Sequence, residues 1–339
     1  MTSQSPETKI TLKSPVRAPS AIPIDDAVIP FEVDALDLRG RLTRLGPALD
    51  DILSKHAYPA PVGKLLAEAI VLTTLLSSSL KFDGRFILQT RTDGPVSFLI
   101  VDFKAPDRLR AYARYDESRL KRGMGSGALL GRGHLAMTID QGPDMSRYQG
   151  MVALDGGGLE AAAHEYFLRS EQIPTRVRIA VGEEWRGGDG TGVKHRWRAG
   201  GILMQFLPKA PERARQADLD PGDAPEGTLA HTVAEDEAWV EGRSLIATVE
   251  DVELIDPDLS GERLLYRLFH ERGVRVFNPL PLTARCSCSR DAVSSMLKSF
   301  TAKDRAEMVQ DGKVVVTCEF CSSVYQFTPH EAGVEQGTA

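Results

Sequence analysis

The chain has 339 residues, 42% of them hydrophobic, a formal net charge of −6 and four cysteines. Such a length suits two or three domains, and the composition supports an ordinary hydrophobic core. The acidic balance disfavours non-specific binding to nucleic acid or to an anionic membrane, so neither is expected as a partner.

Residues 1–25, within "MTSQSPETKITLKSPVRAPSAIPIDDA", are rich in Ser, Thr and Pro and lack the apolar stretch of a secretory signal. They read as a disordered leader. The longest apolar segment, around Leu65 to Leu80, is interrupted by Glu68, Thr73, Thr74 and three serines, so no run is expected to cross a bilayer. The expected location is the cytoplasm. Keeping every cysteine in a close pair suits a reducing compartment, where paired thiols more often bind metal or do redox work than form structural disulfides.

Residues 26–207 read as an α+β core domain. Phe31 to Leu53 suggests a short strand running into a helical segment. Pro59 and Pro61 open a long helix over Val62 to Leu80, with Leu65, Leu66, Ala69, Ile70, Leu72 and Leu76 largely at helical spacing. Arg85 to Phe103 reads as a hairpin turning at Asp93-Gly94-Pro95. Further strands are expected at Leu109–Arg114, His134–Asp140, Met151–Leu154, Arg176–Val181 and Gly201–Leu207, with a helix over Leu159–Ser170 among them. Helices inserted among hairpin-like strands define the α+β class.

Residues 208–278 read as a linker carrying amphipathic helices. Its first part, Pro208 to Thr232, is rich in Pro, Ala and charge. Beyond it, "EDEAWVEGRSLIATV" and "LSGERLLYRLFHE" are amphipathic, and the second places Leu264, Leu265, Leu268 and Phe269 on one stripe. That stripe is either ordinary core or a surface for a partner.

Residues 279–330 hold the cysteines as C-x-C, 29 intervening residues, then C-x-x-C: Cys286, Cys288, Cys318 and Cys321. Residues 331–339 read as a disordered tail. Two knuckles of paired thiols can close a tetrahedral zinc site with sulfurs about 2.3 Å from the metal. The intervening chain carries a helix from Arg290 to Phe300 capped by Ser289, with Val293, Met296, Leu297 and Phe300 on one face. A Thr301/Asp304 capping box follows, then a hairpin bearing the second knuckle. On spacing alone the site is a structural zinc ribbon or a redox centre. A catalytic zinc is disfavoured, because it keeps a coordination position for water and usually includes His or carboxylate ligands.

Other motifs carry less. "GMGSGALLGRG" (Gly123–Gly133) matches neither phosphate-loop pattern and reads as a turn-rich loop. Arg196-Trp197-Arg198 reads as ordinary strand and loop. G-x-S-x-G and H-E-x-x-H are absent, "CEFC" does not open a helix in a thioredoxin-like context, and the chain is not expected to be an enzyme.

Three stretches together resemble a known family, the redox-regulated heat-shock chaperones called thirty-three-kilodalton chaperonins. They are the cysteine pattern, "YQGMVALDGGGLEAAAHEYFLRSEQIPTRVRIAV" (Tyr148–Val181), and "LLGRGHLAMTID" (Leu129–Asp140) with the weaker "LKFDGRFILQTRTDGPV" before it. The resemblance runs from about Asp34 to Phe327. The leader, Gly182–Trp197 and residues 208–232 look expanded against the family pattern. The resemblance implies an ATP-independent holdase for unfolding client proteins. It implies one zinc ion on Cys286, Cys288, Cys318 and Cys321 in an inactive reduced state. On oxidation it implies zinc loss, disulfides Cys286–Cys288 and Cys318–Cys321, partial unfolding and homodimerisation. The stripe Leu264, Leu265, Leu268 and Phe269 becomes a candidate client-binding surface. Two other classes stay open: a zinc-ribbon module that binds RNA or protein, and a thiol–disulfide oxidoreductase.

Overall fold

The computed structural model describes residues 25–80, 83–142, 147–187, 193–209 and 235–334. Nearly all of the leader, most of the 208–232 segment and the last five residues lie outside the described residues.

The first sheet begins with a hairpin of β1 (Ala27–Val33) and β2 (Leu38–Leu45), paired in register from Ala27↔Arg44 to Val33↔Leu38. The sequence reading gave one short strand and then helix over Phe31–Leu53; the helix comes only at Pro47, and a second strand, β2, precedes it. Paired with β1, "LRGRLTRL" turns Leu38, Gly40 and Leu42 inward and leaves Arg39 and Arg41 more exposed. Asp37, at φ 52°, reverses the chain between the strands. Gly40 is required where it stands, since a Cβ there would lie 2.1 Å from the Phe31 ring. A short helix, α1 (Pro47–Leu53), and the long α2 (Ala60–Ser79) follow.

A second antiparallel set contains β3 (Arg85–Thr92), β4 (Val96–Lys104), β5 (Arg108–Tyr115), β6 (Arg132–Asp140) and β7 (Tyr148–Asp155). The short α3 (Ser126–Leu130) occupies the glycine-rich segment between β5 and β6. After β7 come α4 (Gly158–Tyr166), a π-turn over Phe167–Glu171, and two strands that return to the first sheet, β8 (Thr175–Gly187) and β9 (Val193–Phe206). The Gly182–Trp197 segment, which looked like an expanded loop, is largely a continuation of this ribbon, paired through Gly187↔Val193.

Helix α2 lies between the sheets. It is long and apolar enough to span a bilayer, contrary to the sequence expectation, but its Leu65, Leu66, Ile70, Val71, Leu72 and Leu75 are buried inside the protein. One apolar cluster joins α2 to the inner faces of both sheets, including Val28, Val177 and Leu203 from the first and Leu88, Val101 and Leu135 from the second. Because strand side chains alternate, the first sheet also has an apolar outer face. Helices α5 (Glu237–Ala247), α6 (Asp251–Ile255) and α7 (Gly261–Phe269) cover it with Trp239, Ile246, Leu254 and the α7 stripe.

Past α7, three two-residue strands carry the chain from one sheet to the other. β10 (Arg275–Val276) and β11 (Leu280–Pro281) pair with β1, and β12 (Thr283–Ala284) runs parallel to β5. Each large sheet thereby has six strands, ordered β10-β1-β2-β9-β8 with β11 also on β1, and β12-β5-β4-β3-β6-β7. β12 delivers the chain to Cys286 at the edge of the second sheet. The architecture is α+β, as the sequence indicates.

The last part folds as α8 (Arg290–Lys298), α9 (Ala302–Glu307) and the hairpin β13 (Val314–Thr317) and β14 (Val324–Phe327). Both helix starts follow the sequence reading: Ser289 Oγ accepts from Ala292 N–H, and Thr301 and Asp304 form the capping box. The small core is Val293, Leu297, Val314, Phe327 and Ala332. Met296 and Phe300, expected on its face, stay 45% and 40% exposed. The order also extends past residue 330, since Ala332 is buried and Glu331 pairs with Arg290 at 2.9 Å. Of the 331–339 segment, residues 335–339 lie outside the described residues.

Candidate metal centre and its contacts with the core

The four cysteines come from two local structures. Cys286 and Cys288 lie on the extended segment between β12 and the Ser289 cap of α8. Cys318 and Cys321 lie on the tight turn between β13 and β14, where Ser322 N–H donates to Cys318 O at 2.8 Å and Cys318 N–H to Ser323 O at 2.9 Å. Ser322 takes φ 56° to close the turn. Packing of α8 on the hairpin through Leu297, Val314 and Phe327 brings the knuckles together.

All four Sγ atoms lie within 4.8 Å of one another. Two separations across the knuckles are 3.7 Å for Cys286–Cys318 and 3.3 Å for Cys288–Cys321. Both are far beyond the ~2.05 Å of a disulfide, and all four cysteines are free. A compact set of four soft sulfur donors is suited to a single thiophilic ion.

The surroundings differ from thiol to thiol. Burial pushes Cys288 up to about 12, against a hydrogen bond from the Tyr325 hydroxyl at 3.2 Å. Burial also raises Cys318. At Cys321 burial acts in the same direction, but hydrogen bonding with Ser323 and the adjacent thiols outweighs it and brings the group down to about 7. The thiolate is the form that binds metals and attacks oxidants.

Sequence reasoning found all four cysteines but missed two neighbours. Tyr325, on β14, could have been found from its alternation with Phe327 around the second knuckle. Arg110, on β5, had no local signal, because 176 residues separate it from Cys286. Its Nη1 lies 3.9 Å from Cys286 Sγ, and its guanidinium sits 4.1 Å above the Phe320 ring. Asp102, buried on β4, accepts from Arg110 Nε at 2.8 Å and holds it in place.

The proposed client stripe is elsewhere. Leu264, Leu265, Leu268 and Phe269 are 0%, 0%, 5% and 1% exposed, and the Phe269 ring stacks on Phe31 with centroids 5.7 Å apart. In this structure the stripe is core, because the outer face of the first sheet offers a matching apolar surface. Arg198, which read as ordinary strand and loop, is buried and bonds Asp25 at 2.6 and 2.9 Å.

The Y-x-G and Y-F-x-x-S-E-Q stretch is a packing motif. The Tyr166 hydroxyl donates to Glu171 at 2.6 Å, and the Tyr148 hydroxyl lies 3.4 Å from both Tyr166 and Glu171. Gly150 leaves room for the Tyr166 ring, which a Cβ would meet at 2.5 Å.

Comparison with known proteins agrees with this architecture. The family described as Hsp33 protein matches residues 26–328. A 33 kDa chaperonin from Caulobacter vibrioides is 44% identical over 319 residues, covering 92% of this chain and 98% of the relative. One from Azotobacter vinelandii is 37% identical over 299 residues, covering 88% and 90%. The crystal structure of the 33 kDa chaperonin (heat shock protein 33 homolog) from Thermotoga maritima shares the fold, with a TM-score of 0.68 at 19% identity over 91% of this chain and 97% of that one. The chain belongs to the Hsp33 family.

Proposed function

We infer that this protein is a cytoplasmic, ATP-independent chaperone that holds unfolding proteins, and that the four-cysteine cluster switches it. The observation that carries this reading is the convergence of Cys286, Cys288, Cys318 and Cys321 within 4.8 Å. For zinc the fit is close: tetrahedral ligation at 2.3 Å places sulfurs roughly 3.8 Å apart, beside 3.7 and 3.3 Å here. Bound zinc would hold the sulfurs as thiolates and contribute on the order of 10–16 kcal/mol to folding of the module.

The division of labour follows. Residues 26–207 form the stable core, the helices α5 to α7 of the 208–278 segment the covering layer, and 279–330 the sensor. The sensor's own core is four buried side chains, Val293, Leu297, Val314 and Phe327, joined by Ala332 just beyond it, too few to hold a fold of this size without a staple or a metal. A peroxide supplies the oxidation. One thiolate attacks the O–O bond, becoming a sulfenic acid as hydroxide leaves; the second thiolate displaces hydroxide from that sulfur. Two thiolates lose two electrons, one peroxide gains them, and protons from solvent make two waters.

The pairing decides the outcome. Disulfides Cys286–Cys288 and Cys318–Cys321 close very short loops, constrain little chain and remove the metal's donors, so the module unfolds. Pairing across the knuckles would instead staple it shut. Unfolding of the sensor loosens the covering layer, and Leu264, Leu265, Leu268 and Phe269 then reach clients. The oxidised form is a homodimer.

The test is light scattering of a thermally unfolding client with the protein either zinc-loaded and reduced or peroxide-oxidised, with zinc release followed by a chromogenic chelator. Suppression by the oxidised, zinc-depleted form alone supports the switch. Suppression by neither form, with zinc retained, returns the cluster to a structural role. Disulfide mapping that finds Cys286–Cys318 or Cys288–Cys321 as the main product would overturn the unfolding step.

A further inference from the structure

The turn that carries Cys318 and Cys321 does more than present two sulfurs. Three residues on it touch the rest of the protein. The Phe320 ring lies under the Arg110 guanidinium at 4.1 Å. The Ser322 hydroxyl donates to Lys55 O at 2.8 Å and lies 3.4 Å from His56 Nδ1, both on the segment between α1 and α2. Glu319 faces Arg114 at 3.8 Å. On the other knuckle, Cys286 Sγ lies 3.9 Å from the same Arg110. β12, just before Cys286, is held to β5 by Thr283 N–H to Asp107 O at 2.8 Å and Arg285 N–H to Leu109 O at 3.0 Å.

We propose that the Cys318–Cys321 knuckle is the plug that docks the cysteine module on β5, and that a disulfide inside the knuckle withdraws it, with Arg110 as the positioning residue that couples sulfur chemistry to the core. The inference rests on the redox reading above. Its physical basis is that the same short turn sets both geometries. Forming the S–S bond draws two free sulfurs that lie within 4.8 Å of each other to ~2.05 Å, and the residues between them move with it. Those residues are Glu319 and Phe320. Arg110 then loses the Phe320 face and keeps Asp102, so its hold on the module falls to the Cys286 sulfur alone. The peroxide accounts for the electrons as before: two thiolates in, one disulfide and two waters out.

The proposal is tested by hydrogen exchange of the full-length protein at the Thr283 and Arg285 amides, which report β12 on β5, with zinc content measured alongside. Reduced, zinc-loaded Phe320→Ala should keep one zinc yet exchange faster at these amides, roughly two- to thirtyfold, the span expected for a cation–aromatic contact. Phe320→Tyr should restore protection, since its ring offers the same face. Arg110→Lys keeps the charge beside Asp102 but loses the planar stack, and should resemble Phe320→Ala. Oxidised wild type should show the same loss of protection. The proposal is overturned if reduced Phe320→Ala stays as protected as wild type, or if the oxidised wild type keeps its protection. Failure of the holdase reading would appear separately, as absence of client suppression, because the reduced-state exchange involves neither client nor oxidant.

Discussion

The hydroxyl of Tyr325 donates to Cys288 Sγ at 3.2 Å. A donor placed on a ligand sulfur steadies its thiolate and orients it, which is the role that outer partners play around metal ligands. Tyr325→Phe removes that donor and leaves the ring in place. Zinc stoichiometry should stay at one while affinity falls roughly tenfold to a hundredfold. Competition with a chelator of known affinity measures it; an unchanged affinity would show the hydroxyl to be a bystander.

Removal of a ligand should have a local effect. Cys318→Ser leaves three thiolates and a poor fourth donor. The module should lose zinc and its protection at Val314 and Leu297, while α2 between the sheets keeps its slow exchange, because that core has its own large apolar cluster. Exchange that rises equally in α2 would mean that sensor and core unfold as one unit.

Two buried arginines latch the covering layer to the first sheet. Arg44 Nη1 donates to Asp256 O at 2.8 Å, and Arg198 Nε to Ile255 O at 2.8 Å, so the end of α6 is held by side chains from β2 and β9. Arg44→Met fills the space but leaves carbonyl groups without a donor. We expect a loss of about 1–3 kcal/mol, from part-buried carbonyls left without their donor, and increased binding of an apolar dye by the reduced protein. Chemical denaturation and dye fluorescence read the two effects, and wild-type values in both would remove the latch.

Truncation of the stripe separates packing from client binding. Phe269→Ala deletes a ring stacked on Phe31 and should cost about 3–5 kcal/mol. If the stripe is also the client surface, oxidised Leu265→Ser and Phe269→Ala should suppress aggregation several-fold less well at matched zinc release. Full suppression by both variants would place the client elsewhere.

Glu68 sets a pH dependence in the central helix. Burial raises its carboxyl to about 7, with Lys64 and Ser126 acting in the opposite direction. A carboxyl whose pKa is higher folded than unfolded binds its proton more tightly in the folded state. Its contribution is therefore fully present below pH 4.5 and is lost as pH rises towards 7 and above, by roughly 3 kcal/mol. Glu68→Gln should be the more stable protein at pH 8 and should differ little at pH 4.5. Parallel melting curves for the two proteins across that range would refute the assignment.

Much of the fold was legible because it rests on local signals. Ser289, Thr301 and Asp304 cap the helices that their identities call for, and Asp93-Gly94-Pro95 turns the β3–β4 hairpin. The second strand of the β1–β2 hairpin was not separated from the helix after it, because a short leucine- and arginine-rich run fits a helix and a strand equally until Phe31 is known to pack on Gly40. Nothing in residues 275–284, at the join of linker and cysteine module, reads as strand, because two-residue strands have no periodicity; only the open edges at β1 and β5 give them one.

By itself the sequence determined the chemistry of the centre: four thiols, in two pairs, at a spacing that suits one thiophilic ion. That holds because ligand identity and short-range chain geometry are local properties. Only the tertiary structure decided what those thiols touch and what the apolar stripe covers. Arg110 meets Cys286 and Phe320 because β12 lies along β5, and Phe269 is buried because the first sheet is apolar on both faces. Both relationships join residues more than a hundred positions apart, and long-range pairing leaves no mark on either segment alone.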